Sequence, residues 1–208
     1  MKEGDMTLIG QFEGHEFTVW SLAMTTDGLS LISGGQDATI RVWDMGTEKE
    51  LHKFVGHEGP VYGLAVTPDN KRLVSIADKD LAVKVWDLES FELVSSLAPN
   101  SAHVTTVAVS PDQRFIVTGA EEGMIRFWDA DRGILLRRLD CGHRIFSMMI
   151  SPDGRYLLCG SRRLPASKEP GFVSIWEFEL GAPVKKLVGH RGNVTALAMT
   201  ADSKYILS

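Results

Sequence analysis

The sequence predicts an all-β protein assembled from four-stranded antiparallel units, and three observations predict it. Four of the five tryptophans recur in one context, as "IRVWD" (Trp43), "VKVWD" (Trp86), "IRFWD" (Trp128) and "VSIWE" (Trp176), separated by 43, 42 and 48 residues. Five short apolar runs each end in a turn: "VWSLAMTTDG", "VYGLAVTPDN", "VTTVAVSPDQ", "IFSMMISPDG" and "VTALAMTADS". Gly-His pairs punctuate the same period, at Gly14-His15, Gly56-His57, Gly142-His143 and Gly189-His190.

Each unit reads as four strands in order. The apolar run comes first, too short for a helix and too uniformly apolar for a sheet with one wet face, so it is expected to be covered on both sides. The turn follows, with Pro second and Asp third in three of the five, as a type I turn favours. A second strand such as "LSLISGG" and a third such as "TIRVWD" come next. The fourth, such as "KELHKFVGH", carries more charge, as an edge strand facing solvent should.

The whole chain narrows the function classes. Its 208 residues suffice for one sizeable domain, and 44% hydrophobic with 24% charged residues is an ordinary globular balance. A formal net charge of −5 argues against nucleic acid, which wants a basic face. Cys141 and Cys159 are too few for a disulfide scaffold and not spaced as a metal clip, and each reads as a thiol in a reducing compartment. The N-terminus has no signal-peptide apolar stretch, and no apolar run approaches the ~20 residues of a membrane span, so a cytoplasmic or nuclear location is expected. HExxH, Walker and dinucleotide motifs are absent, and neither metal nor cofactor nor small-molecule substrate is expected.

A period near forty, four strands per period and the Gly-His…Trp-Asp punctuation resemble the WD40 β-propeller family across essentially the whole chain. The resemblance implies blades at residues 15–56, 57–99, 100–142 and 143–189, an incomplete fifth repeat at 190–208, and a ring-closing outer strand at 1–14. That is about four and a half blades of a larger ring, expected to be seven-bladed, and so a partial propeller. It also implies a hydrogen-bonded Asp–His–Ser/Thr–Trp network in each blade. Carried onto this sequence, the first repeat supplies His15, Ser21, Asp37 and Trp43. The second keeps His57, Asp80 and Trp86 but has Gly63 at the hydroxyl position. The third keeps Trp128 and Thr106, with Glu122 for the Asp and Asn100 for the His. The fourth keeps Ser147 and Trp176, with His143 displaced by a shortened loop, and the fifth has His190 but Ala196. Blades one and two are therefore expected to be the most rigid. Asp, His and Ser together also suggest a catalytic triad, but a triad occurs once and on an exposed nucleophile turn. Ser21 lies inside an apolar strand with no G-x-S-x-G elbow, so the constellation reads as scaffold.

Function in this fold resides on loops and rims. The resemblance implies a partner face made by the loops into each first strand and the turns before each third strand. On this sequence it carries Trp20, Tyr62, His103, Arg144, Phe146 and Asn193 beside the first strands, and Gln36, Lys79 and Glu121 before the turn acids. Trp20, Tyr62 and Phe146 share one repeat position, and aromatics dominate interface hot spots. The fourth repeat adds an insertion seven residues longer than the first repeat's turn, with Arg162, Arg163 and Lys168 suited to acidic or phosphorylated groups, or simply solvated. The reading is a non-catalytic protein-interaction scaffold or peptide-recognition module. The alternatives are the recognition part of a larger multidomain protein and a propeller hydrolase using His103 and Glu121.

Overall fold

The computed structural model describes residues 10–80, 82–97, 103–161 and 170–208. Every regular element among them is a strand. The first sheet is a meander of β1 (Val19–Met24), β2 (Ser30–Gly35), β3 (Thr39–Asp44) and β4 (Glu50–Val55). The second runs through β5 (Val61–Val66), β6 (Arg72–Ala77), β7 (Val83–Asp87) and β8 (Leu93–Leu97). The third comprises β9 (Val104–Val109), β10 (Phe115–Ala120), β11 (Met124–Asp129) and β12 (Leu135–Asp140). The fourth comprises β13 (Ile145–Ile150), β14 (Tyr156–Ser161), β15 (Gly171–Glu177) and β16 (Pro183–His190). β17 (Ala198–Met199) and β18 (Ile206–Leu207) form a two-stranded fifth piece. All pairings are antiparallel between chain neighbours, and each four-stranded sheet is one propeller blade.

The core lies between blades. One apolar cluster joins Ile32, Ile40, Val42 and Phe54 of the first blade to Val61, Leu73 and Trp86 of the second. A second joins Val74 and Val85 to Val104, Val107 and Trp128. A third joins Val117 and Phe127 to Ile145 and Leu157, and a fourth joins Leu158 and Val173 to Val194. Each cluster needs its neighbour, so stability propagates from blade to blade as in other repeat proteins. The first strand of the first blade departs from this pattern. Val19, which opens it, is 44% exposed, whereas Val61, Val104 and Ile145, which open the next three blades, are buried.

Two local devices hold the hairpins. Between strands one and two, a hydroxyl accepts a hydrogen bond from the backbone N–H five residues on and donates to the turn Asp. Thr25, Thr67, Ser110, Ser151 and Thr200 all do this, on Asp27, Asp69, Asp112, Asp153 and Asp202. Between strands three and four, the Asp that follows Trp accepts backbone N–H groups of its own turn, as Asp44 does from Gly46 and Thr47. Asp87 and Asp129 repeat the arrangement. The turn closes with a residue in the left-handed region (Glu48, Phe91, Gly133 or Gly181), satisfying a conformation in which glycine is unstrained. Among the described residues no helix is long and apolar enough to cross a membrane.

Candidate functional site

In blades one, two and four the network begins at a His in the loop that leads into the first strand. In blade one His15 comes from the loop into β1 and meets Asp37 in the β2–β3 turn, Nδ1 lying 2.9 Å from Oδ2. Its Nε2 lies 2.7 Å from Ser33 Oγ, and Trp43 Nε1 donates to the same oxygen at 2.8 Å. Burial raises the Asp37 carboxyl, but the Thr39 hydroxyl, His15 and the N–H groups of Thr39 and Glu16 outweigh it and hold the group at about 2. Blade two repeats the arrangement through His57, Asp80, Ser75 and Trp86, with Trp86 Nε1 to Ser75 Oγ at 2.8 Å. Burial pushes the His57 imidazole below its ordinary range, against the opposing pull of Asp80.

The hydroxyl of the network therefore sits on the second strand, not the first. Ser21 Oγ donates instead to the Val61 carbonyl at 3.4 Å, a link to the next blade. Gly63 leaves no gap, since Ser75 supplies the hydroxyl of blade two. Thr106 is likewise replaced by Thr118, whose Oγ1 accepts from Trp128 Nε1 at 3.0 Å, and Ser147 donates to the Val194 carbonyl at 2.7 Å. Sheet order gives the reason. Trp lies on the third strand, which neighbours the second, and a hydroxyl on the first would have to reach across an intervening strand.

Blade three keeps only the Trp128–Thr118 bond among the described residues, and Glu122 is engaged by Arg126 at 2.8 Å. Blade four rearranges the network. Cys159 occupies the second-strand position, and the hydroxyl moves to its cross-strand partner Ser174. His143 Nε2 lies 2.9 Å from Ser174 Oγ, and Trp176 Nε1 donates to it at 3.0 Å, so His143 is not displaced from the network. Both cysteines are buried and free, and burial pushes the Cys141 thiol up to about 11, far from reactive thiolate character.

The residues singled out for the partner face divide into two groups. Trp20, Tyr62, His103 and Phe146 converge on one cavity of about 660 Å³ bounded by the first strands of all the blades, Thr195 and Leu197 included. Trp20 is 57% exposed there. Tyr62 stacks on His103, ring centres 5.3 Å apart and planes 16° from parallel, and donates to the Val104 carbonyl. Burial raises the Tyr62 phenol well above its ordinary range, so it remains a donor at neutral pH. Glu121 and Arg144 form the second group, an ion pair of 2.7 Å between the β10–β11 turn and the loop into β13.

Comparison with known proteins places this geometry. A family model described as "WD domain, G-beta repeat" matches residues 6–44, 48–87, 91–129, 133–176 and 181–208. The chain belongs to the WD40 repeat family. The WD40 matches at 48–87, 91–129 and 133–176 each start at the outer strand of one blade and end on the Trp strand of the next, so sequence repeat and blade are offset by one strand. The chain is 27% identical over 197 residues to cilia- and flagella-associated protein 52 of Sus scrofa, covering 93% of this chain and 30% of that protein. It is 36% identical over 45 residues to eukaryotic translation initiation factor 3 subunit I of Schizosaccharomyces pombe, covering 22% of this chain and 14% of that one. The chain thus spans about a third of the length of the full-coverage relatives it matches. Among solved structures, hydrazine synthase of Kuenenia stuttgartiensis superimposes with a TM-score of 0.84 at 20% identity, over 97% of this chain and 58% of that one, a likeness of fold.

Within this WD40 frame one position shifts. Gln36 N–H bonds the Thr18 carbonyl, and Glu121 N–H bonds the His103 carbonyl; the residue making this bond in blade two is Asp78, to Pro60. Lys79, counted back from the turn acid, is instead the extra residue of a longer turn, with φ of 76°. Asp78 is the functional candidate that sequence reasoning missed. Its Oδ1 lies 3.1 Å from His103 Nε2, across the blade boundary. The signal was one extra residue between hydroxyl and Trp, eleven in blade two against ten in blades one and three. His103 and Glu121 turn to opposite neighbours, Asp78 and Arg144, rather than to each other. Asn193 is exposed in the loop before Val194. Arg162, Arg163, Lys168 and Asn100 lie outside the described residues. Among the described residues no group of three or more His, Cys, Asp or Glu side chains is placed to hold a metal.

Proposed function

We propose that this WD40 chain is a non-catalytic docking module that seats a segment of a protein partner over the central cavity, on the face carrying the first-strand loops. The observation that carries this reading is the convergence of Trp20, Tyr62, His103 and Phe146, one from each of four successive blades, on one cavity. Large aromatic faces beside a stacked, hydrogen-bonded His supply both buried area and fixed polar groups, the composition of an interface hot spot. The name of one relative, a subunit of an initiation factor, and that of another, a cilia- and flagella-associated protein, fit membership of an assembly in the cytoplasm.

A photo-reactive residue at position 20 tests it. It is expected to crosslink a defined polypeptide, and unlabelled wild-type chain is expected to compete while Trp20→Ala does not. Trp20→Ala should leave stability within about 0.5 kcal/mol, as an exposed side chain outside the network should. Equal competition by Trp20→Ala would refute the central-cavity reading.

A further inference from the structure

The blades differ at one place over their tryptophans. In blade one, Arg41 on β3, two residues before Trp43, pairs with Glu50 and Asp37. A methyl group on Gly14 would lie 2.7 Å from the Arg41 guanidinium and 2.8 Å from the Trp43 ring, so the space is full. In blade two, Lys84 takes the same register position, donates to the Gly56 carbonyl and pairs with Asp80 at 3.0 Å. In blade three, Arg126 takes it, paired with Glu122. All three tryptophans are buried.

Blade four has Ser174 at this register position, the residue that took over the network hydroxyl. The long cationic side chain is gone. Trp176 is only half-buried, and a methyl on Gly142 would meet nothing within 4 Å. The space is a slot of about 370 Å³ bounded by Gly142, His143, Phe172, Trp176, Lys185 and Lys186. Its positive charge comes from a different strand than in the other blades. The third-strand cation is missing, and Lys185 and Lys186 of β16 line the slot, Lys186 Nζ lying 3.6 Å above the Phe172 ring. Asp140 borders the slot, but its Oδ1 accepts the Gly142 N–H at 2.8 Å. Glu177 belongs to the next depression along the strand, with Arg155.

We propose that this slot binds an acidic side chain of a partner polypeptide, its apolar stem against Trp176 and Phe172 and its carboxylate or phosphate on Lys185 and Lys186. Charge complementarity selects the acid, and the volume, at the small end of ligand sites, suits one or two side chains rather than a domain. Lys186 leaves the aromatic face for the stronger, charge-assisted contact. The slot is separate from the central cavity, so it stands or falls independently of that proposal.

Titration of the full chain with a hexaglutamate peptide, followed by the tryptophan indole N–H resonances, tests it. The Trp176 signal, assigned by its loss in Trp176→Phe, is expected to shift saturably while Trp43, Trp86 and Trp128 stay still. Ser174→Arg, which refills the space as the other blades do, should abolish the shift. Should that variant disturb the other indole signals, Lys185→Gln with Lys186→Gln serves instead, and is expected to weaken binding about five- to tenfold, two exposed ion pairs' worth. Three results would overturn the assignment: hexaglutamine shifting Trp176 equally, inorganic phosphate alone giving the same shift, or the hexaglutamate response keeping its full affinity in the lysine variant.

Discussion

Blades two and four both join a His, a hydroxyl and a Trp but place the hydroxyl on different strands, and the difference separates scaffold from surface. In blade two the hydroxyl is Ser75 on the middle strand, the acid is Asp80 in the following turn, Lys84 pairs with that acid, and the tryptophan is buried against Phe54. In blade four a cysteine takes the middle-strand place, the hydroxyl crosses to Ser174, and the tryptophan is left half-open. One difference on one strand thus costs a hydroxyl, which its neighbour Ser174 replaces, and the cation of that position then comes from the outer strand, where Lys186 pairs across from Ser174 and stands over Phe172. A complete network locks a blade; a rearranged one keeps the blade and exposes a slot.

The sharpest way to break this comparison is to remove the hydroxyl from each blade. Ser75→Ala strands both the Trp86 indole and the His57 ring nitrogen in the core, at about 1–3 kcal/mol each, so urea denaturation should show a loss of about 2–5 kcal/mol. Ser174→Ala strands the corresponding groups where water reaches Trp176, and the expected loss is smaller, about 1–2 kcal/mol. Equal losses would remove the distinction between the blades.

Acid offers a graded version of the same test. His57 and His143 are both held below their ordinary 6.5, by burial in each case, with Asp80 opposing for the first and the Arg144 carbonyl for the second. A lowered histidine binds its proton more readily in the unfolded chain, so their contribution is whole above about pH 6.5 and declines as pH falls below it. Asp37, held at about 2 against an ordinary 3.8, contributes above 3.8 and loses that contribution as pH falls towards 2. Stability measured from pH 8 to pH 3 should therefore fall in two stages, and His57→Asn should flatten the first. The smallest expected effect is that of Ser21→Ala. With one bond of 3.4 Å to lose, it should cost under about 1 kcal/mol, and a loss as large as that of Ser75→Ala would restore Ser21 to the network.

Much of this was legible because repetition amplifies weak signals. Four Trp contexts, five turn-ended runs and the Gly-His pairs were enough to place four blades and a partial fifth, with the histidines, acids and tryptophans of blades one and two. The hydroxyl was misplaced because in repeats one and three both the first and the second strand carry a candidate at a matching position. Ser21, Thr106 and Ser147 lie on first strands; Ser33, Ser75 and Thr118 lie on second strands. Only the adjacency of strands two and three decides between them, and that is a property of the folded sheet. Asp78 escaped because counting back from Asp80 assumed equal turns. The slot over Trp176 was invisible for a different reason: it is made by what Ser174 lacks, and an empty space has no letter in the sequence.

Hydrogen exchange of the four network indole N–H groups tests the central comparison most directly. Trp86, buried against Phe54 and with its full network, is expected to exchange most slowly, Trp43 and Trp128 next, and half-open Trp176 fastest. Exchange at Trp176 as slow as at Trp86 would contradict the claim that the rearranged network leaves blade four open.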